Sequence, residues 1–178
     1  MLTKDPSKES RHLITTPGMN LSTIKSFRNY YYHCKLISCA MMEMKWMIKR
    51  AIARIEVRVG DINYGGHLGN DKALLVFHDA RIAFLESLGF SEKNIGGPAI
   101  IMRDAHVTFR KEVFLHDVLT VDAGIDEVTL TSFNMVYTVK RESDGAVVFL
   151  GSTGLVAFDY DLKKVAKLPE VFLQKIRE

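Results

Sequence analysis

The chain has 178 residues, 47% of them apolar and 25% charged, with a formal net charge of +3. That is the make-up of an ordinary globular chain, long enough for one real hydrophobic core. The slight positive excess allows a basic rim for a phosphorylated ligand but gives no ground for nucleic-acid binding. No run reaches the ~20 apolar residues of a membrane span, so a cytoplasmic protein without membrane contact is expected.

Residues 1–50 differ in character from the rest of the chain. They show no clean period, open on a polar run, and contain Pro6, Pro17 and Gly18. Met19, Met41, Met42, Met44 and Met47 crowd the segment. Two readings stand: a genuine extension with a helix over 22–35, or an over-long start whose true beginning is one of Met41 to Met47. The second is expected, which makes residues 1 to about 45 dispensable. Cys34 and Cys39 have only His33 beside them and form no zinc set; two free thiols in a reducing compartment are expected. Leu36-Ile37-Ser38-Cys39 has the look of a lipoprotein box, but Tyr30 to Lys35 before it is polar where a signal peptide is apolar.

Residues 51–178 read as one α+β domain. Partial alternation predicts a strand over 54–60. A polar, glycine-rich loop comes next, Asp61-Ile62-Asn63-Tyr64-Gly65-Gly66-His67-Leu68-Gly69-Asn70-Asp71. Asn70 or Asp71 then caps a helix over 72–88, with Ala73, Phe77, Ala80, Phe84 and Leu88 on one face and Leu74, Ile82 and Leu85 beside them. Apolar residues cover most of its circumference, which predicts a largely buried helix. Gly89 is a natural stop. Strands are expected over 99–110, 118–126, 130–141 and 147–159, with a hairpin turn at Asp144-Gly145 and a short helix from Pro169. In the first of these, Ile101, Ala105, Val107 and Phe109 are placed on one face and His106, Thr108 and Arg110 on the other. One helix followed by strands on short turns indicates an antiparallel sheet packed on that helix.

The loop holds the candidate chemistry, because a polar loop fixed between a strand and a buried helix is where binding and catalytic groups tend to sit. Asp61 is either a carboxylate that activates water or attacks an acyl carbon, or a turn carboxylate that shapes the loop. Asn63 offers a carboxamide, which orients water or a carbonyl but is neither a good base nor a good nucleophile. His67 orients water, donates to a carbonyl, acts as base near neutral pH, or bonds a backbone carbonyl. Gly65 and Gly66 allow close approach of amides, those of Gly66 and His67 being candidates to polarise a carbonyl, or they simply make the turn. Tyr64 and Asn70 are candidates for substrate contact, Asn70 also for helix capping. Asp79 lies on the helix, two residues before Arg81 and off the pairing spacing; it is either a buried carboxylate that contacts substrate or half of an ion pair with Arg103, His106 or Arg110. Arg110, Lys111, Lys140 and Arg141 are candidates for a phosphate-binding rim or scattered surface cations. Ser152-Thr153-Gly154 inside a strand reads as a packing or bulge site, and no spacing suggests a metal.

The ordered set Val57-Arg58-Val59-Gly60-Asp61, Gly66-His67, Asn70 and His78-Asp79-Ala80-Arg81 resembles the hot-dog acyl-CoA thioesterases, in their 4-hydroxybenzoyl-CoA thioesterase-like branch, over roughly residues 52–170. The resemblance implies a single hot-dog domain, an antiparallel sheet wrapped around one long helix. It implies a homodimer joined edge to edge, or a tetramer built from it, with sites at the interface. It further implies hydrolysis of an acyl-CoA or acyl-carrier-protein thioester to a free acid, with no cofactor. In the resembled enzymes the catalytic carboxylate is usually the second acidic residue of an Asp-x-Asp pair, and Asn63 stands at that place here. The expected assignment is therefore Asp61 as the carboxylate, with Asn63 and His67 as hydrogen-bonding partners. Two alternatives stay open: a non-catalytic acyl-binding protein, and an enoyl-CoA hydratase or dehydratase of the same fold.

Overall fold

The computed structural model of the chain describes residues 49–177. What the sequence suggests for residues 1–48, the extension, its helix and the two thiols, lies outside the described residues. Five long strands and one long helix make up the rest: β1 (Lys49–Glu56), a 3-10 turn (Val59–Asp61), α1 (Lys72–Ser87), β2 (Ala99–Phe109), β3 (Val118–Asp126), β4 (Ser132–Arg141) and β5 (Val147–Asp159). The two-residue β6 (Lys164–Val165) and a short α2 (Glu170–Lys175) close the chain. The sheet is antiparallel, in the order β1-β3-β4-β5-β2, with β6 added to β5.

Sequence pattern explains most of these boundaries. α1 starts where the polar loop ends, and after it Gly89 takes φ +83, a conformation that a residue with a Cβ seldom adopts. The strand expected over 54–60 instead ends at Glu56, and Val59–Asp61 forms the 3-10 turn. The Asp61 carboxylate closes that turn by accepting from the Arg58 amide at 2.9 Å, which diverts the chain out of the sheet.

α1 lies across the sheet through Ala73, Val76, Phe77, Ala80, Phe84 and Leu85, all buried. Phe77 stacks on Tyr137 of β4 with ring centroids 4.3 Å apart, and tilts against Phe149 of β5. Gly151 makes this approach possible. A Cβ there would fall on the His106 carbonyl oxygen and within 2.8 Å of Phe77 Cε2. The expectation of a largely buried helix holds for one face only. Leu74, Leu75 and Ile82 are exposed, because a single sheet covers about half of a helix's circumference.

β2 departs from the expected alternation. The register shifts between Met102 and Asp104, so Arg103 is an extra residue in the strand. Face parity flips there, and Ile101 no longer shares a face with Ala105. Ile100 and Val107 both pack against the core, although seven residues apart in sequence. Opposite the bulge, Gly154 leaves room for Arg103 and Asp104: an added Cβ would stand 2.6 Å from Asp104 Oδ1. Thr153, beside it, is buried with its Oγ1 2.8 Å from the Tyr137 hydroxyl.

Candidate active site

The loop between β1 and α1 is a compact closed structure. Ile62 and Leu68 form a β-bridge, and the Asn63 amide donates to the His67 carbonyl at 2.9 Å. Inside this clasp the Asn63 side chain makes an Asx-turn, its Oδ1 accepting from the Gly65 amide at 2.8 Å. Gly66, at φ +82, donates to the Asn63 carbonyl, so its amide is committed to the turn. The Gly69 amide donates to the Asp61 carbonyl and the Leu68 amide reaches the Val113 carbonyl, both at 2.8 Å. The loop is thus tied to itself and to the segment after β2.

These bonds orient His67. With Oδ1 of Asn63 taken by Gly65, its Nδ2 faces His67 Nδ1 at 3.3 Å and donates there. The Leu68 carbonyl also lies 3.4 Å from Nδ1, but the shorter Asn63 contact, whose donor end is set by the Gly65 bond, favours Nδ1 as the acceptor and the proton on Nε2. The ring lies against Gly65, where an added Cβ would stand 3.1 Å from His67 Nε2. A side chain at 65 would therefore crowd Nε2.

Two cavities flank the loop and share only Leu68. One, of about 330 Å³, is lined by Asn63, His67, Leu68, Asn70, Phe109, Lys111, Glu112 and Val113. The other, of about 440 Å³, is lined by Asp61, Lys72, Leu75, Val76 and Asp79 together with residues 54–58 and Leu119. The structure therefore brings Asn63, His67 and Asn70 together and sets Asp61 apart with Asp79, away from His67. Tyr64 lines neither cavity; it stands fully exposed at the tip of the loop.

Other site expectations are corrected. Neither Asn70 nor Asp71 caps α1 through its side chain; the N-cap position, Asp71, has helical φ and ψ and no side-chain cap bond. Asp79 has no hydrogen-bond or ion-pair partner among the described residues, and Arg103, expected near it, pairs with Asp104 instead. The buried cation of α1 is Arg81, whose Nε donates to Glu92 Oε1 at 2.5 Å, while His78 Nε2 donates to Glu92 Oε2 at 2.9 Å. Burial works to raise the Glu92 pKa, but the bonds from Arg81 and His78 outweigh it and hold the carboxyl below its ordinary range. This network pins α1 to the turn after it. No sequence signal marks it, since Glu92 reads as one more charge in a polar turn. Of the cations considered for a rim, Lys140 pairs with Asp122 and Arg141 with Asp117, while Lys111 lines the His67 cavity.

A helix-spanned antiparallel sheet with a bonded Gly-Gly-His loop at the helix start defines a hot-dog domain of thioesterase type. Residues 57–176 match the model of the thioesterase-like superfamily, and the chain belongs to that family. No curated protein matches the sequence. Among solved structures, a 1,4-dihydroxy-2-naphthoyl-CoA thioesterase from Synechocystis is 21% identical, with a TM-score of 0.66 over 72% of this chain and 96% of that one. A DHNA-CoA thioesterase from Staphylococcus aureus is 23% identical, with a TM-score of 0.63 over 70% and 84%. A further Staphylococcus aureus protein, solved in complex with CoA, is 22% identical, with a TM-score of 0.64 over 72% and 83%. At these identities the likeness establishes the hot-dog fold.

Proposed function

We propose that this chain is an acyl-CoA thioesterase, hydrolysing a thioester to a free acid and CoA without a cofactor, at the His67 side of the loop. One observation carries the reading. The Asn63–His67 bond leaves the proton on Nε2 of a ring that lines a 330 Å³ cavity, with apolar Phe109 and cationic Lys111 in the same wall. A thioester carbonyl accepting from that N–H gains a donor aimed at the oxygen that becomes negative during attack. Phe109 offers apolar surface to the acyl group, and Lys111 a charge for a CoA phosphate. The structure with bound CoA among the similar proteins supports CoA as the thiol, which fits a cytoplasmic enzyme.

A thiol-release assay over a panel of acyl-CoAs tests this reading. His67→Ala should lower kcat by about 10²-fold, the worth of one oxyanion donor, with a smaller change in KM. Unchanged turnover in that variant would move the chemistry to the Asp61–Asp79 side. Asn63 itself favours a second reading, non-catalytic acyl-CoA binding, because a carboxamide stands where the resembled enzymes use an acid. Binding without release in wild type, with release gained in Asn63→Asp, would establish that alternative. A hydratase pairing of His67 with Asp61 has no support in the geometry, since the two line different cavities.

We also propose a homodimer joined through β2, or a tetramer built from it. β2 ends the sheet, and Met102, Arg103, Asp104, Ala105 and His106 along it are exposed. The Ile100 amide donates to the Glu92 carbonyl, and beyond it the outer edge of this eleven-residue strand favours pairing with a second copy. Sedimentation velocity at micromolar concentration should show the dimer; a monomer there would count against an interface site.

A further inference from the structure

We infer that Glu112 supplies the carboxylate of this site, an assignment that rests on the thioesterase reading above. Hydrolysis of a thioester by water needs a base, and Asn63 cannot be one. Asp61 spends one oxygen on the Arg58 amide and lines the other cavity, together with Asp79. Among the residues lining the His67 cavity, Glu112 is the one carboxylate. Its side chain is exposed and makes no hydrogen bond or ion pair with any described residue, so its oxygens are available to water.

The backbone holds Glu112 in place from both sides. Arg110 and Lys111 donate to the Val148 carbonyl at 2.8 and 3.0 Å. The Glu112 carbonyl accepts from Arg141 at 2.5 Å. The Val113 carbonyl accepts from Leu68, the residue after His67, and the Val113 side chain is buried. A single hydrogen bond therefore links the Glu112 segment to the His67 loop, and both face one cavity. Glu112 thus offers, in the wall that Asn63 also lines, the carboxylate that position 63 lacks.

The step balances with groups already present. Water oxygen bonds to the carbonyl carbon while one water proton passes to the Glu112 carboxylate and the carbonyl oxygen takes negative charge against His67 Nε2–H. Collapse breaks the C–S bond, and the proton on Glu112 moves to the departing sulfur. The products are the acid, which ionises to solvent, and CoA thiol. Glu112 ends as the carboxylate it began as.

The test is thiol release by the full chain with the acyl-CoA that wild type turns over best. Glu112→Gln should lower kcat by about 10²-fold or more, with KM nearly unchanged and an unaltered melting curve. Glu112→Ala should regain part of its rate with added formate, which enters the vacated space as a base and which a merely structural role would not reward. Turnover near wild type in Glu112→Gln, or larger losses in Asp61→Asn or Asp79→Asn than in Glu112→Gln, would overturn the assignment while leaving the thioesterase reading intact. No thiol release from wild type with any acyl-CoA would remove that reading, and this assignment with it.

Discussion

Phe77→Ala should lower the stability of the domain by about 3–5 kcal/mol, the cost found for deleting a fully buried aromatic ring. Phe77 is fully buried at the centre of the helix–sheet contact. Its ring rests on Tyr137 on one side and fills the hollow left by Gly151, with Phe149 tilted beside it. Truncation removes the ring's transfer energy and leaves a space that the backbone of β5, already pressed against β2, has little freedom to close. Denaturant titration should show the midpoint falling at an unchanged slope. Phe77→Leu, which refills part of the volume, should cost less than half as much. A loss below about 1 kcal/mol in Phe77→Ala would mean that α1 is not seated on the sheet at Gly151. Activity is coupled to the same contact, because the loop carrying His67 runs directly into α1.

Glu92→Gln should destabilise the fold by about 2 kcal/mol at neutral pH, and the loss should depend on pH. Arg81 is buried and has Glu92 as its carboxylate partner, so removing the negative charge strands a cation. The usual cost of breaking a buried pair is about 3–5 kcal/mol; partial exposure of Glu92 moves the expectation below that range. Arg81 and His78 hold the Glu92 carboxyl below its ordinary range against the effect of burial. A group whose folded pKa is depressed contributes stability that is complete above its unfolded pKa, near 4.3 for a glutamate, and lost as pH falls through the folded value. Wild type and Glu92→Gln should therefore differ most from about pH 6 upward, and their unfolding curves should converge as the pH drops below ordinary carboxylate values. A constant difference between neutral pH and about pH 3 would show that shape, not charge, sets the role of Glu92.

The two predictions concern contacts of different legibility. Phe77 is visible in the sequence as one member of an apolar stripe, and the stripe does face the sheet. Glu92 is not: nothing in Ser91-Glu92-Lys93 separates it from an ordinary polar turn until Arg81 is seen beside it.

What the sequence determined by itself are the features set within a few residues of one another. Apolar spacing and Gly89 give α1, β-branched alternation with a turn at Asp144-Gly145 gives β3, β4 and β5, and the ordered loop residues give the family. The compact clasp of Asn63, Gly65 and His67 comes from the same short reach. Tertiary structure alone decided which groups meet. The turn closed by Asp61 leaves that residue in the wall of the Asp79 cavity, the bulge at Arg103 reverses the faces of β2, and a hydrogen bond from Leu68 to Val113 ties the Glu112 segment to the His67 loop on the wall of one cavity. Propensity and periodicity act along the chain, whereas the wall of a cavity is assembled from segments far apart in it. A residue such as Glu112, with no pattern around it, acquires its neighbours only when the sheet and helix have closed.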